Sequence, residues 1–460
     1  MTAVPSTIGI VASGEDVLND AVFWVDAGRS SVVSGALSNL GTGGSALNAV
    51  FGNSTGVDSF DPALLAHTGT NYLYLPGVTG NAASATNLAS YTPSSSLQLD
   101  WDFTPSDLTA AEQSLITHFG SAGNRGWRLS LGTTAFALVW STDGGDVNVA
   151  SQAVSFATMG VAVGVRSRGR VILRFNNGSG VYDVRWYTVD ANGIATLVET
   201  DLGLSTTSIF ASSQNLEIGS RTGLGIPLSA SVYKATVTTD GTVVFDANFT
   251  TGITSGGQTT FTESSANAAT VTINRSTSGR KAVAVTRPIL LFGTDDYLEV
   301  ADNDLLDFAA SEPFTVAIVI RQWSTFTSQG VAIAKKTGNG TTGTGWLIRN
   351  GIGASSDGTA LDTYDGTTSA TRAAPTSKTS GALCVITGIA SSSQLTAYFN
   401  NTASAATTRQ AGSYVNSEVM RIGRLSGAST QYVDMELVAA AVWRRALNAN
   451  EIATIVARYT

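Results

Sequence analysis

Apolar and polar residues alternate in short runs along most of this chain. Examples of such runs are Leu97–Phe103, Ala135–Trp140 and Leu383–Ile389, and turn-forming pairs such as Asn192-Gly193 and Asp240-Gly241 lie between runs. Strict alternation predicts strands that bury one face, and the intervening pairs predict tight turns. The pattern therefore predicts an all-β protein in which antiparallel sheets pack as sandwiches.

Two segments have the longer period of a helix. Leu108–Phe119 is the first, and the second closes the chain. In the second, Asn448 is a predicted N-cap, and Glu451 stands three residues later, at the spacing of a capping box. Its apolar stripe is Ile452, Ile455 and Val456, so we expect a short C-terminal helix packed on a sheet.

Five segments of the first half recur in the same order in the second half. The pairs are Tyr72–Leu75 with Tyr297–Val300, Gly126–Leu129 with Gly345–Ile348, Val184–Tyr187 with Thr396–Phe399, Glu217–Ser220 with Arg421–Arg424, and Val232–Ala235 with Glu436–Ala439. Two divergent copies of one domain explain the order, with loop lengths that differ. We place an irregular segment at residues 1–20, a first domain at 21–262 and a second at 263–460, and we expect residues 285–460 to fold alone.

Composition limits the classes of partner. The 460 residues include 26 Lys and Arg against 34 Asp and Glu, a net charge of −8, without a concentrated basic face for nucleic acid. No apolar run approaches the length of a membrane span. The single cysteine, Cys384, is expected to be a buried apolar residue. Met1–Pro5 lacks the basic start of an export signal, so we expect synthesis in a cytoplasm and release by lysis.

The second half carries the motifs of a known family. Asp295–Val300, Gly345-Trp346, Ile422-Gly423 and above all the run from Trp443 to Ile452, which contains Arg445-Ala446-Leu447-Asn448 and Glu451-Ile452, resemble the concanavalin A-like, laminin-G-like jelly roll. This resemblance covers residues 285–460. Tyr72–Gly77, Trp127–Leu131 and Leu216–Arg221 resemble jelly rolls in structural proteins, minor tail or fibre proteins, of phages that infect actinobacteria. The resemblance implies two tandem jelly-roll domains that bind sugars or proteins.

Some members of this fold cleave glycans with carboxylates spaced two residues apart on one strand. Asp434 and Glu436 are the only comparable pair that we identify, and Tyr432 stands where a third carboxylate is usual. His67 and His118, the two histidines, have no nucleophile elbow or metal-ligand spacing nearby. We therefore expect no enzymatic activity.

Two sets of residues are candidate binding groups. The resemblance implies a rim that can hold calcium, for which Asp295, Asp302 and Asp304 are the candidate ligands. Tyr364, Tyr414 and Tyr432 are candidate ligand contacts because we expect them in loops. Tryptophans in alternating strands, namely Trp127, Trp346 and Trp443, are expected in the core.

These observations lead to one principal hypothesis. It is a non-enzymatic phage virion protein, tail-associated, that binds host-surface glycans or neighbouring virion subunits, with no nucleic-acid or membrane partner. The alternatives are a capsid decoration or fibre protein with a packing role, and a secreted lectin or glycan hydrolase. Whether the protein is a homo-oligomer is left open.

Overall fold

The computed structural model describes residues 14–33, 35–52, 62–145, 149–175, 182–204, 208–221, 225–277, 279–293, 295–323, 330–338, 343–352, 355–374, 379–425 and 431–460. The chain forms two compact units. His67–Arg287 is one continuous unit, here called the inserted domain. Met1–Ala66 and Pro288–Thr460 together form the other, here called the discontinuous domain.

The N-terminal part of the discontinuous domain contains one short helix and five short strands. These are α1 Gly14–Asn19, β1 Phe23–Asp26, β2 Val32–Val33, β3 Ala36–Leu37, β4 Ala49–Phe51 and β5 Ala63–Leu65.

The inserted domain contains sixteen of the described strands and two single-turn helices. The elements are β6 Tyr72–Pro76, β7 Ala82–Ala85, β8 Ser96–Pro105, β9 Gln113–Phe119, β10 Arg125–Leu131, β11 Ala135–Ser141, β12 Val149–Ser155, α2 Phe156–Met159, β13 Ser167–Arg174, β14 Tyr182–Val189, β15 Ala195–Leu204, β16 Leu216–Ile218, β17 Ser229–Thr239, β18 Thr242–Asn248, α3 Phe249–Gly252, β19 Thr260–Thr262, β20 Thr270–Asn274 and β21 Val283–Val285.

The C-terminal part of the discontinuous domain supplies its remaining elements. They are β22 Ile289–Leu291, β23 Leu298–Val300, β24 Phe314–Arg321, β25 Gly330–Lys336, β26 Thr344–Ile352, β27 Ser355–Asp365, β28 Ser369–Ala373, β29 Leu383–Ala390, β30 Gln394–Phe399, β31 Thr402–Ala403, β32 Thr407–Thr408, β33 Met420–Ile422, β34 Glu436–Trp443 and α4 Ala449–Tyr459.

Each domain is a sandwich of two antiparallel sheets, and the strand order is the same in both. The inserted domain has the orders β15-β14-β13-β8-β17-β6-β21, with β18 on β17, and β12-β11-β10-β9-β16-β7-β20-β19. The discontinuous domain has β31-β30-β29-β24-β34-β22-β5, with β1 on β34, and β28-β27-β26-β25-β33-β23-β4-β3-β2. The predicted jelly-roll fold and the duplication are confirmed.

Alternation in the sequence becomes alternation of burial. In β8, Leu97, Leu99, Trp101 and Phe103 lie in the core of the inserted domain, while the residues between them are partly exposed. The three tryptophans predicted in the core are fully buried, namely Trp127, Trp346 and Trp443. Cys384 is also buried, with about 3% of its surface exposed.

The domain boundaries differ from those predicted. Strands β18, β20 and β21, which extend to Val285, pair with β17, β7 and β6 of the inserted domain, so the expected division at 262/263 is wrong. Residues 21–66 belong to the discontinuous domain, because β1 pairs with β34, β4 with β23, and β5 with β22. These pairings join strands that are distant in sequence, which local patterns do not record.

Two further predictions are corrected and one is confirmed. Tyr72–Leu75 lies in β6, whose counterpart by strand order is β22, whereas Tyr297–Val300 leads into β23, the counterpart of β7. Most of the predicted helix Leu108–Phe119 is strand β9, which has all seven residues buried and therefore lacks alternation. Helix α4 begins at the predicted capping box of Asn448 and Glu451.

Within the described residues, no helix has the length and apolar character needed to span a bilayer.

Candidate functional site

A polar groove lies on the outer face of one sheet of the inserted domain. Core residues of β8 alternate with outward-facing ones, and the neighbouring strands β13 and β17 are in register with it. Side chains on this face therefore form rows across three strands. The rows, from β13 through β8 to β17, are Ile172 with Gln98 and Thr238, Arg170 with Asp100 and Thr236, and Arg168 with Asp102 and Lys234.

Hydrogen bonds between charged groups hold this array in place. Arg170 Nε donates to Asp100 Oδ1 at 2.5 Å, and Gln98 Nε2 donates to Asp100 Oδ2 at 2.7 Å. Arg168 Nε donates to Asp102 Oδ2 at 2.9 Å. Charge-assisted bonds of this kind are short and directional. The carboxylates and guanidiniums of the groove are thus positioned before any ligand arrives.

A third arginine, Arg166, and a tyrosine, Tyr233, extend the array at one edge. Arg166 donates from Nε and Nη2 to the two oxygens of Asp102, at 2.7 and 2.8 Å. Its guanidinium lies 3.7 Å from the centre of the Tyr233 ring, a cation–π contact. The hydrogen bond to Asp102 holds the pKa of the Arg166 guanidinium above its ordinary value.

The walls of the groove come from the β14–β15 turn and from β18. In the turn, Asp190 Oδ1 accepts hydrogen bonds from the backbone N–H groups of Asn192 and Ile194, both at 2.8 Å, and Gly193 adopts a positive φ of 85°, which favours glycine. Val243 of β18 lines the opposite side. The groove encloses about 370 Å³, within the size range of small-molecule sites.

Asp100 and Asp102 correct one expectation from the sequence. They are a same-face carboxylate pair two residues apart on β8, so Asp434 and Glu436 are not the only such pair. The signal was present as Leu97-Gln98-Leu99-Asp100-Trp101-Asp102-Phe103, a strict alternation that puts three polar side chains on one face. Both carboxylates accept hydrogen bonds from guanidiniums.

The pair considered for catalysis from the sequence has a different environment. Glu436 is fully buried, where it forms an ion pair with Arg321 and accepts a hydrogen bond from Trp323 Nε1 at 2.5 Å. A carboxylate enclosed in this way cannot reach a glycosidic bond. Glu436 is therefore a structural residue of the sheet formed by β24 and β34.

The three candidate calcium ligands have separate surroundings. Asp302 forms an ion pair with the buried Lys335 at 2.8 Å, and Asp295 and Asp304 are exposed. Lys335 also contacts Asp307 at 2.7 Å, so an ammonium already supplies positive charge to this rim. In the described parts of the chain, no three His, Cys, Asp or Glu side chains are grouped to hold a metal ion. Calcium at this rim stays a prediction.

The three candidate tyrosines are also separate. Tyr364 lies in β27, not in a loop; it is buried, and its hydroxyl accepts a hydrogen bond from Arg349 Nη2 at 3.0 Å. That burial raises its pKa to about 12. Tyr414 is fully buried in the core beside Phe314. Tyr432, partly exposed and next to Arg424, is the one of the three with surface available for a ligand.

Comparison with known proteins supports the fold. Residues 292–453, all in the discontinuous domain, match the Laminin_G_3 family model, described as the concanavalin A-like lectin/glucanases superfamily. No curated protein matches the chain. This match, together with the sheet order of both domains, identifies the fold as two concanavalin A-like sandwiches, one inserted in the sequence of the other.

Solved structures with similarity to the chain include three from different sources. Domains LG4-5 of the mouse laminin alpha1 chain share 10% identity with a TM-score of 0.29, over 85% of this chain and 96% of that one. The binding domain of botulinum neurotoxin serotype G shares 12%, with a TM-score of 0.31, over 43% and 48%. The CBM40 of Ruminococcus gnavus IT-sialidase, bound to alpha2,3 sialyllactose, shares 13%, with a TM-score of 0.28, over 34% and 95%.

Proposed function

We propose that this protein is a non-enzymatic glycan-binding protein and that the groove over β13, β8 and β17 is its binding site. The observation that carries the proposal is the set of side chains of Asp100, Asp102, Arg168 and Arg170, which mutual hydrogen bonds hold on one open face. Ordering these side chains in advance lowers the entropic cost of binding.

The chemistry of the groove fits a ligand rich in hydroxyl groups. A sugar hydroxyl donates one hydrogen bond and accepts others, so it pairs with a carboxylate and with a guanidinium or ammonium at the same time. The groove offers Asp100, Asp102 and Asp190 as acceptors and Arg168, Arg170 and Lys234 as donors. Because these charges balance, the groove favours neutral sugar residues over polyanions.

The same contacts argue against hydrolysis. Glycoside cleavage needs a protonated carboxyl group as acid and a second carboxylate as base or nucleophile. Asp100 and Asp102 both accept hydrogen bonds from arginine, and Glu436 is buried. The expected result is that isolated cell-wall polysaccharide incubated with the protein releases no reducing ends.

Two arginines on one strand give a matched test of the groove. Arg170 lines it, whereas Arg174 is exposed on the same face of β13 outside it. We expect Arg170→Ala to weaken binding to immobilised host-envelope polysaccharide at least tenfold and Arg174→Ala to leave it unchanged. Equal binding by the wild type, Arg170→Ala and Arg174→Ala would place the glycan site elsewhere, and no binding by the wild type would refute the proposal.

We further propose that the protein acts on a phage particle, at the tail. This setting rests on the resemblance of the first half to structural proteins of actinobacterial phages. A capsid decoration or fibre role and a secreted lectin are the alternatives. Mass spectrometry of purified particles tests the proposal, because a virion protein must remain with particles through density-gradient purification, and its absence from them would refute this setting.

One observation favours contact with neighbouring virion subunits as a second role. β15 ends the order of its sheet, and Leu197 and Leu202 on it are 51% and 70% exposed. Exposed apolar side chains on an edge strand are suited to contact with another chain. Leu202→Lys is expected to abolish incorporation into particles while leaving glycan binding intact.

A further inference from the structure

A second cavity of about 410 Å³ lies on the other sheet of the inserted domain. It is built around β7, β16 and β20, which belong to the other sheet from β13, β8 and β17 of the groove. Its lining includes the hydroxyl groups of Thr79, Ser84 and Ser220, the amides of Asn215 and Asn274, and the charged groups of Glu217 and Arg221.

Comparison of the two domains shows how this cavity arises. Ile218 and Ile422 occupy equivalent positions, because each is followed by a glycine with positive φ, 83° at Gly219 and 90° at Gly423, and each pairs with the equivalent strand, at Ala83 and Leu298 respectively. This register makes three further positions equivalent, which are Ala82 with Tyr297, Ser84 with Glu299, and Ser220 with Arg424.

In the discontinuous domain, large side chains fill this position. Tyr297 is buried to all but 2% of its surface. The guanidiniums of Arg421 and Arg424 lie 5.4 and 5.0 Å from the centre of its ring. Arg421 also forms an ion pair with Glu299 at 2.9 Å. This part of the surface is therefore closed by its own residues.

In the inserted domain, small residues stand at the same three positions. Alanine replaces the tyrosine, and serines replace the glutamate and one arginine, so the ring and two long side chains are missing together. The remaining polar groups are positioned, since Asn274 Nδ2 donates to Ser84 Oγ at 2.8 Å and Thr117 Oγ1 donates to the Ser220 carbonyl at 3.1 Å. Arg221 is 7% exposed.

We infer that this cavity is a second binding site, for a single sugar residue of a glycan. Its volume is within the range of small-molecule sites. The hydroxyl and amide groups among its lining residues match the alternating donors and acceptors of a pyranose or furanose ring. The inference does not depend on the groove, because the two sites share no lining residue.

The test restores the side chain that the other domain carries. Saturation-transfer NMR is recorded on the full chain with free D-glucose, D-galactose, D-arabinose and N-acetyl-D-glucosamine as probes. Ala82→Tyr and Ser220→Arg each refill the cavity from one side. As a control, Ser151→Tyr adds the same bulk as Ala82→Tyr at an exposed position on β12 of the same sheet. Arg170→Ala serves to weaken binding in the groove.

At least one probe is expected to receive saturation from the Arg170→Ala protein and from Ser151→Tyr. The signal is expected to fall at least tenfold when Ala82→Tyr or Ser220→Arg is added to Arg170→Ala. Thermal unfolding identifies a refilling variant that does not fold, and the other variant then decides the result. The inference is overturned if no probe receives saturation from the Arg170→Ala protein, or if the saturation survives both refilling changes. A probe whose signal is lost with Arg170→Ala alone binds in the groove.

Discussion

Trp127 and Trp346 make the same hydrogen bond in the two domains. Trp127 Nε1 donates to the carbonyl oxygen of Tyr91 at 2.8 Å, and Trp346 Nε1 donates to that of Leu306 at 3.2 Å. Tyr91 and Leu306 each end a 3-10 turn that precedes a central strand, β8 or β24. Each of these hydrogen bonds satisfies the N–H of a buried indole, and the repeated Gly-Trp motif thus has a packing role in both copies.

Trp443 is expected to be a main support of the discontinuous domain. Its side chain is fully buried, and Nε1 donates to the Val17 carbonyl at 2.8 Å. Trp443→Ala should lower the unfolding free energy of this domain by about 3 to 5 kcal/mol, because it leaves a large cavity. Amide hydrogen exchange in β24 and β34 measures this domain separately. Val415→Ala, at a 52% exposed position, is the control and should change stability by less than about 0.5 kcal/mol.

The fragment 288–460 is expected not to fold alone, which reverses the expectation for residues 285–460. Without residues 14–66, β34 lacks β1, β22 lacks β5, and β23 lacks β4. The core also loses Phe23, which is fully buried. The isolated fragment should bind a hydrophobic dye and unfold without cooperativity, and a peptide of residues 1–66 should restore a cooperative transition.

A circular permutant offers the complementary measurement. In the inserted domain, β18 to β21 follow β17 directly and take the places that β1, β3, β4 and β5 take in the discontinuous domain. Since α1 packs against α4, a short linker from residue 460 to residue 14 should let 288–460 and 14–66 fold as one chain. Cooperative unfolding of 288–460 by itself would contradict this account of the domain.

His118 is expected to make the stability of the inserted domain depend on pH. It is fully buried, with Nε2 2.8 Å from Asn87 Oδ1, and desolvation lowers its pKa to about 4 from an ordinary value of 6.5. The unfolded chain then binds more protons between these two values, so stability is complete above pH 6.5 and falls toward pH 4. Over this range the free energy of unfolding falls by about 3 kcal/mol.

His118→Gln provides the comparison for that pH dependence. A glutamine can keep a hydrogen bond to Asn87 but does not titrate. Urea midpoints measured between pH 7 and pH 4 should fall less steeply in His118→Gln than in the wild type, whatever the stability of the variant at pH 7. Parallel pH profiles would show that His118 is not the responsible group.

Glu436→Gln is expected to destabilise the protein and leave glycan binding unchanged. Removal of the carboxylate charge leaves Arg321, 7% exposed, as a buried cation without its ion-pair partner. Such a loss costs about 3 to 5 kcal/mol. The double variant Arg321→Met with Glu436→Leu should regain most of the stability, since it removes both charges. A stable single variant with altered glycan binding would assign Glu436 a role in a site.

Several features could be predicted from the sequence because they are local. Alternation in Leu97–Phe103 records which side of β8 faces the core, and the spacing of Asn448 and Glu451 records a helix start. The same local reasoning predicts a helix in place of strand β9, because both faces of this strand are buried and alternation is lost. Tyr364 lies in a strand and not in the expected loop, because the sequence alone does not distinguish the two settings. Tyr414 lies in an irregular segment as expected, but it is buried.

The sequence by itself determined the strand content, the duplication, the buried tryptophans and the capped final helix, since each depends on side chains close together along the chain. Only the tertiary structure decided that residues 14–66 complete the domain of residues 288–460, because backbone hydrogen bonds between strands carry little sequence information about the partner. It likewise decided the groove, since Asp100, Arg170 and Thr236 meet through the register of three strands, and register depends on how both faces of a sheet are packed.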